Sequence, residues 1–329
     1  MTRVLVTGGA GYIGSHAVLT LLDAGREVVV LDDLSTGFRE AVPEAATFHY
    51  GDVADRNSVT RLLIKEQIGA VMHFAGSISV PESVSEPAKY YRNNTCATLN
   101  LATCCTEVGI ERFIFSSTAS VYGNAQTCPC AEDSPTVPVS PYAASKMMSE
   151  TMLADLELAH PAFRAVRLRY FNVAGADPYG RTGQRNPNAA GLVKLAVETA
   201  LGQRDALDIF GDDYATRDGT CERDYIHVSD LAKAHLAALR YLEAGGAGTA
   251  INLGYGRGYT VLELVSALEK VIGRRLNTRR APRRAGDPAR YFSDVARLHA
   301  TLDWRPAHDD LDLILRSALT WAGALAKAA

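Results

Sequence analysis

The stretch RVLVTGGAGYIGSH, residues 3–16, decides the fold of this chain. Residues 3–6 are a short apolar run of the kind that forms a buried parallel strand. Residues 15–22 carry apolar side chains at helical spacing, and Gly25 predicts the end of that helix. A strand, a glycine-rich turn and a helix in this order predict the first unit of a dinucleotide-binding fold.

Three glycines have separate roles in such a turn. Gly8 is expected to allow the tight turn, Gly11 to let the backbone approach a pyrophosphate, and Gly14 to let helix and strand pack closely. The unpaired N–H groups and partial positive charge at the helix N-terminus then face the pyrophosphate.

An acidic pair completes the dinucleotide-binding pattern that the glycine-rich turn begins. A buried strand at residues 28–31 ends in Asp32-Asp33, roughly twenty residues past the glycines. A carboxylate at this place binds the ribose hydroxyls of adenosine and repels a 2′-phosphate. The sequence therefore predicts NAD, and not NADP, as the cofactor.

The bulk properties exclude several classes of function. The 329 residues could form one large or two moderate domains, and 47% apolar with 22% charged residues is ordinary for a globular protein. A formal net charge of −3 gives no reason to expect nucleic acid or an anionic membrane as a partner. No apolar run is long enough to span a bilayer, and the chain begins directly with its first strand, which predicts that it has no signal peptide.

Cysteine usage predicts a reducing compartment. The cysteines form no paired CxxC arrangement and have no histidines at ligand spacing, so no metal site is expected. Free thiols and a cytoplasmic location are the expectation. The six cysteines are Cys96, Cys104, Cys105, Cys128, Cys130 and Cys221.

Strands and helices alternate through the first half of the chain. Further strands are predicted at residues 47–50, 70–74, 113–115 and 163–169. An amphipathic helix carrying Val59, Leu62, Leu63 and Ile68 and a long helical stretch at residues 87–108 lie between them. This alternation predicts an α/β fold with a Rossmann-type doubly wound parallel sheet that helices cover on both faces.

The second half predicts a smaller α/β substrate domain. Residues 177–188 are rich in Gly, Pro, Asn and Arg and are expected to form a loop. We expect an NAD-binding domain over residues 1–172 and a substrate-binding domain over 173–329, with part of 224–254 packing back on the first. The ligands should lie between the two domains, at the carboxyl ends of the strands. In this half, helices are predicted at 190–201, 229–242, 261–272 and 311–325, and strands at 207–210 and 250–253.

Three side chains at these strand ends have the chemistry for proton transfer. Thr118 follows the predicted strand 113–115, while Tyr142 and Lys146 lie four residues apart on a helix that Ser140 caps and Pro141 begins. Lowering the pKa of a tyrosine from ~10 to ~7 takes about 4 kcal/mol, which a neighbouring ammonium and the positive nicotinamide of NAD could supply. A Tyr and a Lys at this spacing are usually a packing pair, but the glycine turn and the acidic strand end favour a catalytic role.

At these motifs the chain resembles the extended short-chain dehydrogenase/reductase superfamily and, within it, the UDP-glucose (UDP-galactose) 4-epimerase family. The resemblance extends nearly end to end. Its first motif and its Tyr/Lys pair are shared across the superfamily, and the combination of the others is narrower. The motifs are GGAGYIGSH at 8–16, DDLSTG at 32–37, HFAG at 73–76, FSSTASVYG at 115–123, Tyr142 with Lys146, RYFN at 169–172, RDYIHV at 223–228 and PRRAGD at 282–287.

The resemblance implies a set of site residues. Thr118, Tyr142 and Lys146 would be catalytic, and no metal would be bound. NAD would contact Gly8, Gly11, Tyr12, Ile13, Gly14, Asp32, Asp33, Leu34, Asp52, Val53, Phe74, Ala75, Gly76, Asn93, Ser116, Tyr142, Lys146 and Phe171. The UDP-sugar would contact Thr118, Tyr142, Asn172, Leu192, Phe210, Arg223, Arg284, Asp287 and Tyr291.

The implied reaction begins with proton removal from the sugar 4-hydroxyl by Tyr142, while carbon 4 gives a hydride to tightly held NAD. The 4-keto sugar then turns over in the cleft and is reduced on its other face. Guanidinium groups suit the two negative charges of the sugar's pyrophosphate, which agrees with Arg223 and Arg284 as ligands. A homodimer through helices near residues 87–108 and 142–160 is also implied.

Several positions separate this chain from its relatives. Related 4,6-dehydratases carry an Asp-Glu pair after the threonine, where this chain has Ala119 and Ser120, so dehydration is not expected. Some family members have a lysine near the NAD phosphates where this chain has Ile78, and Gly191 stands where an Asn or His often precedes the substrate-loop leucine. Tyr291 falls at the gatekeeper position, where a bulky aromatic side chain should exclude an N-acetyl group.

Two alternatives to this reaction stay open at the level of sequence. One is 4-epimerisation of another UDP-sugar: UDP-N-acetylglucosamine, UDP-xylose or UDP-arabinose, or UDP-glucuronate. The other is a non-catalytic NAD-sensing protein of the same fold, a class that typically loses the Tyr/Lys pair that this chain keeps.

Overall fold

The structure is a computed structural model that describes residues 2–125, 127–284 and 286–328. The described strands are β1 (Arg3–Thr7), β2 (Val28–Asp32), β3 (Thr47–Tyr50), β4 (Ile68–His73), β5 (Arg112–Thr118), β6 (Arg164–Tyr170), β7 (Asn172–Ala174), β8 (Leu207–Phe210), β9 (Glu222–Arg223), β10 (Tyr225–His227), β11 (Thr249–Leu253), β12 (Tyr259–Thr260), β13 (Thr278–Ala281) and β14 (Arg290–Tyr291).

The helices alternate with these strands. The described α-helices are α1 (Tyr12–Asp23), α2 (Arg56–Lys65), α3 (Val80–Ser85), α4 (Pro87–Tyr90), α5 (Ala97–Val108), α6 (Pro141–Ala159), α7 (Leu192–Ala200), α8 (Val228–Glu243), α9 (Val261–Ile272), α10 (Ala296–Thr301) and α11 (Leu311–Ala328). A π-helical turn, Tyr91–Cys96, joins α4 to α5, and short 3₁₀ helices occupy Arg39–Ala41 and Ala119–Tyr122.

Seven parallel strands form the central sheet in the order β11-β6-β5-β4-β1-β2-β3. The chain leaves β1 in one direction to reach β2 and β3, and returns to the other side of β1 for β4. This reversal opens a crevice at the carboxyl ends of β1 and β4, which is where doubly wound sheets bind ligands. The predicted fold class, a Rossmann-type doubly wound sheet, is confirmed.

Two cores cover the two faces of this sheet, because successive side chains of a strand point to opposite faces. On one face, Val4, Val6 and Val30 pack with residues of α1 and α8. On the other face, Leu5 and Val29 pack with residues of α2, α5 and α6. Strand β11 from the second half of the chain completes the sheet beside β6, so residues 224–254 contribute to both halves of the molecule.

A third core lies under α7, α9 and α11 and contains Val193, Leu264 and Leu315. Two small sheets connect it to the large sheet: β7 pairs with β10, and β9 lies between β12 and β14. A third pair, β8 with β13, forms its outer edge. These short strands position the residues that follow Tyr170 over the crevice.

The structure corrects some predicted boundaries. Ile68 does not belong to the amphipathic helix, which ends at Lys65; it begins β4. Gln67, at φ 51°, turns the chain out of the helical path between them. Helix α1 begins at Tyr12, three residues earlier than predicted, because Gly11 is its N-cap.

Candidate active site

The glycine turn is built so closely that side chains would not fit at two positions. A Cβ on Gly8 would lie 2.6 Å from the main-chain nitrogen of Ala75, and Gly8 has φ +70°. A Cβ on Gly14 would lie 2.1 Å from the main-chain oxygen of Gly8. Helix α1 begins directly after this turn with Gly11 as an N-cap that has no side chain to satisfy its N–H groups. This arrangement fits a bound pyrophosphate.

Asp32 ends β2 beside this turn. Its carboxylate accepts hydrogen bonds from the main-chain N–H groups of Ala10 (2.9 Å) and Leu34 (2.8 Å). Burial raises the pKa of Asp32, and the two hydrogen bonds oppose that effect. Asp33 is exposed, and its Oδ1 accepts from Ser35. Of the acidic pair, Asp32 is therefore the one joined to the glycine turn.

The other predicted cofactor residues lie along the same edge of the sheet. Asp52 and Val53 follow β3, and the Asp52 carboxylate accepts from the main-chain N–H of Ala54 (2.8 Å). Phe74 follows β4 and donates its N–H to the main-chain oxygen of Thr7 (2.9 Å). The carboxyl ends of β1, β2, β3 and β4 thus form one side of the crevice.

Lys146 is buried at the centre of the site. Its side-chain ammonium donates a hydrogen bond to the main-chain oxygen of Ser116 (2.9 Å) and lies 4.8 Å from the centre of the Phe115 ring. Burial lowers the pKa of Lys146 to about 8, although the nearby Glu150 carboxylate raises it. At neutral pH the ammonium is therefore mostly charged.

Tyr142 lies one helical turn before Lys146, at the start of α6. The Ser140 side chain caps this helix by accepting from the N–H of Ala143 (3.2 Å), and Pro141 is its first residue, as predicted. The Tyr142 ring meets that of Tyr90 edge-on at 6.4 Å. Burial raises the pKa of Tyr142, and an interaction with the Thr118 hydroxyl lowers it. The sequence-predicted Thr118, Tyr142 and Lys146 are thus brought together.

A buried hydrogen-bond network fixes the helix that carries Tyr142 and Lys146 next to Thr118. Glu150 follows Lys146 by one helical turn and accepts hydrogen bonds from Ser117 and from Arg169, whose Nε lies 3.0 Å from each carboxylate oxygen. Arg169 also donates to the Tyr122 hydroxyl (3.0 Å). Because Ser117 is on β5 and Arg169 on β6, these bonds hold α6 against both strand ends.

Asn94 is a buried residue beside the predicted site to which the sequence analysis gave no role. The prediction named its neighbour Asn93, whose side chain is exposed and donates to Ser77 Oγ (3.1 Å). Asn94 is fully buried: its Oδ1 accepts from the Ser77 N–H (2.8 Å), and its Nδ2 donates to the Ser77 oxygen and to Ser145 Oγ (3.0 Å each). A Cβ on Gly76 would lie 2.8 Å from Asn94 Oδ1 and 3.7 Å from Lys146 Nζ. Asn94 is therefore adjacent to the catalytic candidates.

The predicted sugar-side residues form two groups. In the first, Arg223 on β9 pairs in register with Tyr291 on β14, and its guanidinium lies 3.4 Å from the Asp287 carboxylate. The Tyr291 hydroxyl donates to the main-chain oxygen of Ala119, and its ring lies 5.2 Å from that of Phe171. Burial raises the pKa of Tyr291.

The second group lies around β8. The Arg284 guanidinium stacks on the Phe210 ring at 3.8 Å, and Leu192 begins α7 beside the apolar cluster that contains Ile209. Ala285, within the predicted motif at 282–287, lies outside the described residues. Asn172 begins β7 between the groups and donates to the main-chain oxygen of Asp224 (3.1 Å).

Two features absent from the described residues concern metal binding and membrane insertion. Among the described residues, no group of three or more His, Cys, Asp or Glu side chains could hold a metal ion. None of the helices within ranges 2–125, 127–284 and 286–328 is both long and apolar enough to span a membrane.

Comparison with known proteins adds relatives over the whole length. The NAD dependent epimerase/dehydratase family matches residues 4–254. A UDP-glucose 4-epimerase of Azospirillum brasilense is 54% identical, covering 98% of this chain and 92% of its own. A UDP-glucose 4-epimerase of Stenotrophomonas maltophila, solved with bound NAD and formylated UDP-arabinopyranose, superimposes with a TM-score of 0.97 at 38% identity and covers 100% of both chains. A UDP-Glc/GlcNAc 4-epimerase of Campylobacter jejuni superimposes with a TM-score of 0.88 at 46% identity and covers 98% of this chain and 100% of its own.

Proposed function

The chain belongs to the NAD dependent epimerase/dehydratase family, and on that premise we propose that it interconverts UDP-galactose and UDP-glucose with NAD as a bound cofactor. The observation that carries the proposal is the placement of Tyr142 and Lys146 on one face of α6, beside Thr118. Lys146 also lies close to the glycine turn: a Cβ on Gly76 would be 3.7 Å from its Nζ, and the preceding Ala75 abuts Gly8. This placement joins a group for proton transfer to a dinucleotide site, as a redox step at a sugar carbon requires.

Bound NAD supplies the acceptor, and afterwards the donor, of the hydride at carbon 4 of the sugar. Tyr142 takes the proton of the 4-hydroxyl at its phenolic oxygen and returns it when the 4-keto sugar, turned over in the cleft, is reduced on the opposite face. Thr118 donates a hydrogen bond to the same sugar oxygen and orients it. The proton and the hydride both return to the sugar, so the reaction has no net redox change.

Lys146 makes Tyr142 a usable base. Burial alone disfavours the phenolate of Tyr142, so a positive charge must stabilise it. With a pKa of about 8, Lys146 keeps most of its charge at pH 7, and the hydrogen bond to Ser116 holds that charge near Thr118. Ser116, Ser117 and the Glu150–Arg169 pair position the ammonium and do not themselves contact the sugar.

The cofactor residues proposed here surround the ends of β1 to β4. Gly8, Gly11 and Gly14 leave room for the pyrophosphate, and the first turn of α1 directs its N–H groups at it. The Asp32 carboxylate accepts hydrogen bonds from the ribose hydroxyls of the adenosine. The other proposed contacts are Tyr12, Ile13, Asp33, Leu34, Asp52, Val53, Phe74, Ala75, Gly76, Asn93, Ser116, Tyr142, Lys146 and Phe171. The buried Asn94 positions the main chain after Gly76 through its hydrogen bonds to Ser77.

The nucleotide sugar is proposed to lie between α6 and the small sheets. Arg223 and Arg284 bind its pyrophosphate, because guanidinium groups match phosphate oxygens and the Arg284 guanidinium has no hydrogen bond or ion pair among the described residues. Asn172, Leu192, Phe210 and Asp287 complete the site. Residues 1–172 and 173–329 are accordingly proposed as cofactor and substrate halves.

Specificity follows from the first group of sugar-side residues. Ala119 and Ser120 offer no carboxylate, so elimination of a sugar hydroxyl lacks its acid. The buried hydroxyl of Tyr291, bonded to Ala119, holds a full aromatic ring beside Phe171, which supports a preference for sugars without an N-acetyl group. Some relatives act on N-acetyl sugars, so this preference needs a direct test.

A homodimer and a cytoplasmic location are the remaining parts of the proposal. Exposed apolar side chains on the helices near the site, Val84, Leu99, Met148 and Leu158, support pairing of these helices with a second copy. Six free cysteines support a reducing compartment. Sedimentation equilibrium of the wild type and of a Leu99→Asp, Met148→Asp variant would test the dimer, since two buried charges should yield monomers.

The reaction is tested with the purified protein, UDP-galactose and no added NAD, with formation of UDP-glucose followed by a coupled assay. We expect turnover in the wild type and a fall of about 10²- to 10⁴-fold in Tyr142→Phe, because the phenol is the proton acceptor. NAD content and the unfolding midpoint should be unchanged in that variant. Turnover at the wild-type rate in Tyr142→Phe would overturn the assignment, and wild-type protein that retains NAD without acting on any UDP-sugar would favour the NAD-sensing alternative.

A further inference from the structure

A small cleft lies next to the glycine turn, and none of its lining residues is among the proposed sugar contacts. Its volume is about 10 Å³, room for about one water molecule, and it separates the turn from two loops, one after β2 and one from the second half of the chain. Among the described residues that line it, Arg185 has the only charged side chain. The turn contributes Ala10, Gly11 and Tyr12 to the lining, and the loop after β2 contributes Thr36 and Phe38.

Arg185 has no partner for its charge in the described part of the chain. Its Nε is buried without a hydrogen bond, and the guanidinium makes no ion pair. It stacks on the Trp321 ring at 5.2 Å. A partly buried guanidinium without a carboxylate is costly, and such groups normally bind an anion.

In residues 2–125, 127–284 and 286–328, only one other arginine that stacks on an aromatic ring has a guanidinium without a hydrogen-bond or ion-pair partner. Of the arginines that lie over an aromatic ring, all but Arg185 and Arg284 also bond to a carboxylate or a main-chain oxygen. Arg284 is the proposed ligand of the sugar's pyrophosphate. The parallel suggests that Arg185 serves the second pyrophosphate of the ternary complex, that of the dinucleotide.

The loop that carries Arg185 is held firmly against the turn. Trp321 donates its indole N–H to the Gln184 oxygen (3.0 Å), and a Cβ on Gly183 would lie 2.5 Å from the Trp321 ring. Thr182 is buried, and its hydroxyl lies 2.9 Å from that of Ser15 on α1. Arg185 is therefore presented to the cleft by α11 and α1 together, and not by a free loop.

The opposite wall of the crevice does not supply this charge. Ile78, which follows β4, is apolar and 61% exposed. Lys146 already donates to the Ser116 oxygen. Neither Ile78 nor Lys146 therefore offers an unpaired positive charge to a dinucleotide pyrophosphate at the start of α1.

We infer that Arg185 is a cofactor-binding residue that binds the pyrophosphate of NAD from the substrate half of the chain and so retains NAD between turnovers. The inference rests on the proposed NAD-dependent function and extends it. Its consequence is that loop 182–186 and α11 cover the ADP portion of NAD, which links cofactor retention to the packing of Trp321.

The test measures binding of NAD, ADP and adenosine to ligand-free protein by calorimetry, for wild type, Arg185→Met and Arg185→Lys. A lost guanidinium–phosphate contact predicts about tenfold to a hundredfold weaker binding of NAD and ADP by Arg185→Met. Adenosine has no phosphate and should bind unchanged. Arg185→Lys should recover part of the affinity, and the salt dependence of NAD binding should be smaller in Arg185→Met. Arg275→Met, which removes an exposed arginine paired with Glu269, is the matched control and should bind all three ligands like the wild type.

Two results would overturn the inference. One is equal NAD affinity in wild type and Arg185→Met; the other is an equal loss for NAD and adenosine, which would show that the arginine only packs the loop. Urea unfolding of the ligand-free variants distinguishes a packing defect from a lost contact. Wild-type protein that binds no NAD at all would overturn the proposed function together with this inference, whereas normal NAD binding and turnover in Arg185→Met would overturn this inference alone.

Discussion

The Lys146 ammonium donates to the main-chain oxygen of Ser116 across 2.9 Å, and this bond joins α6 to the end of β5. Thr118 follows Ser116 by two residues, and Tyr142 precedes Lys146 by one helical turn. Together with the bonds of Glu150 to Ser117 and Arg169, this contact sets the distance between the candidate base and the hydroxyl that orients the sugar. The contact also holds a buried positive charge, and burying that charge lowers the free energy of unfolding by an amount that depends on pH.

The first prediction concerns the pH dependence of the free energy of unfolding that the buried Lys146 causes. Lys146 has a pKa of about 8 in the folded protein and about 10.4 when unfolded. Between these pH values the unfolded state binds one more proton than the folded state, so the free energy of unfolding should rise with pH by about 1.4 kcal/mol per unit. Below pH 8 both states hold the proton and this contribution is constant.

Lys146→Met isolates this contribution, because every other titrating group is common to both proteins. Urea unfolding of ligand-free wild type and variant at pH 7, 8, 9 and 10 should show a difference in unfolding free energy that is flat to pH 8. Above pH 8 the difference should shift in favour of the wild type. Parallel curves from pH 7 to 10 would show that Lys146 titrates normally.

The second prediction compares the neighbours Asn93 and Asn94. Asn94→Ala removes three buried hydrogen bonds to Ser77 and Ser145 and leaves their groups unpaired, which should cost about 1–3 kcal/mol for each buried group left unpaired. NAD affinity should fall as well, because the loop after Gly76 lines the cofactor site. Asn93→Ala removes one exposed contact and should change stability by no more than about 0.5 kcal/mol. Thermal unfolding and NAD titration check both, and equal effects of the two substitutions would contradict the structural assignment.

The same pair of asparagines shows where sequence reasoning ends. The strands around the glycine turn were predictable because each is a continuous apolar run with a glycine or acidic residue at its end. Which of two adjacent asparagines is buried depends on helical phase, and the π-helical turn Tyr91–Cys96 changes that phase by an extra residue. No periodicity of the side chains signals that turn.

Contacts between residues far apart in the chain could not be predicted from the sequence either. Strands β9 and β14 have two residues each, yet they place Tyr291 beside Arg223 and under Ala119. Arg185 lies in a segment that composition predicts only as a loop, and Trp321, more than a hundred residues later, determines where it points. Such residues are found only when the tertiary packing is known.

The third prediction tests the glycine turn with two helical glycines. Alanine favours a helix over glycine by about 1 kcal/mol, so Gly323→Ala in α11, where the nearest atom is 4.0 Å away, should stabilise the protein slightly. Gly14→Ala in α1 would place its Cβ 2.1 Å from the Gly8 oxygen, and overpacking of this kind typically costs about 1–3 kcal/mol. Gly14→Ala should also lose copurifying NAD, measured by absorbance after denaturation. A stable, NAD-loaded Gly14→Ala protein would contradict the close packing of this turn.

The last prediction concerns sugar selectivity at Tyr291. Its ring lies 5.2 Å from that of Phe171, and its hydroxyl bonds to Ala119. In the proposed binding mode this fixed ring meets a substituent on the sugar. Tyr291→Ser removes the ring, and kcat/KM for UDP-N-acetylgalactosamine relative to UDP-galactose should rise by about 10- to 200-fold, the range reported for steric discrimination in apolar pockets. Tyr291→Phe keeps the ring and loses only the bond to Ala119, so it should remain selective. If Tyr291→Phe gained the N-acetyl substrate as fully as Tyr291→Ser, the hydroxyl bond and not the ring's bulk would set selectivity. Wild-type turnover of both sugars at similar rates would mean that Tyr291 packs beside the site without excluding anything.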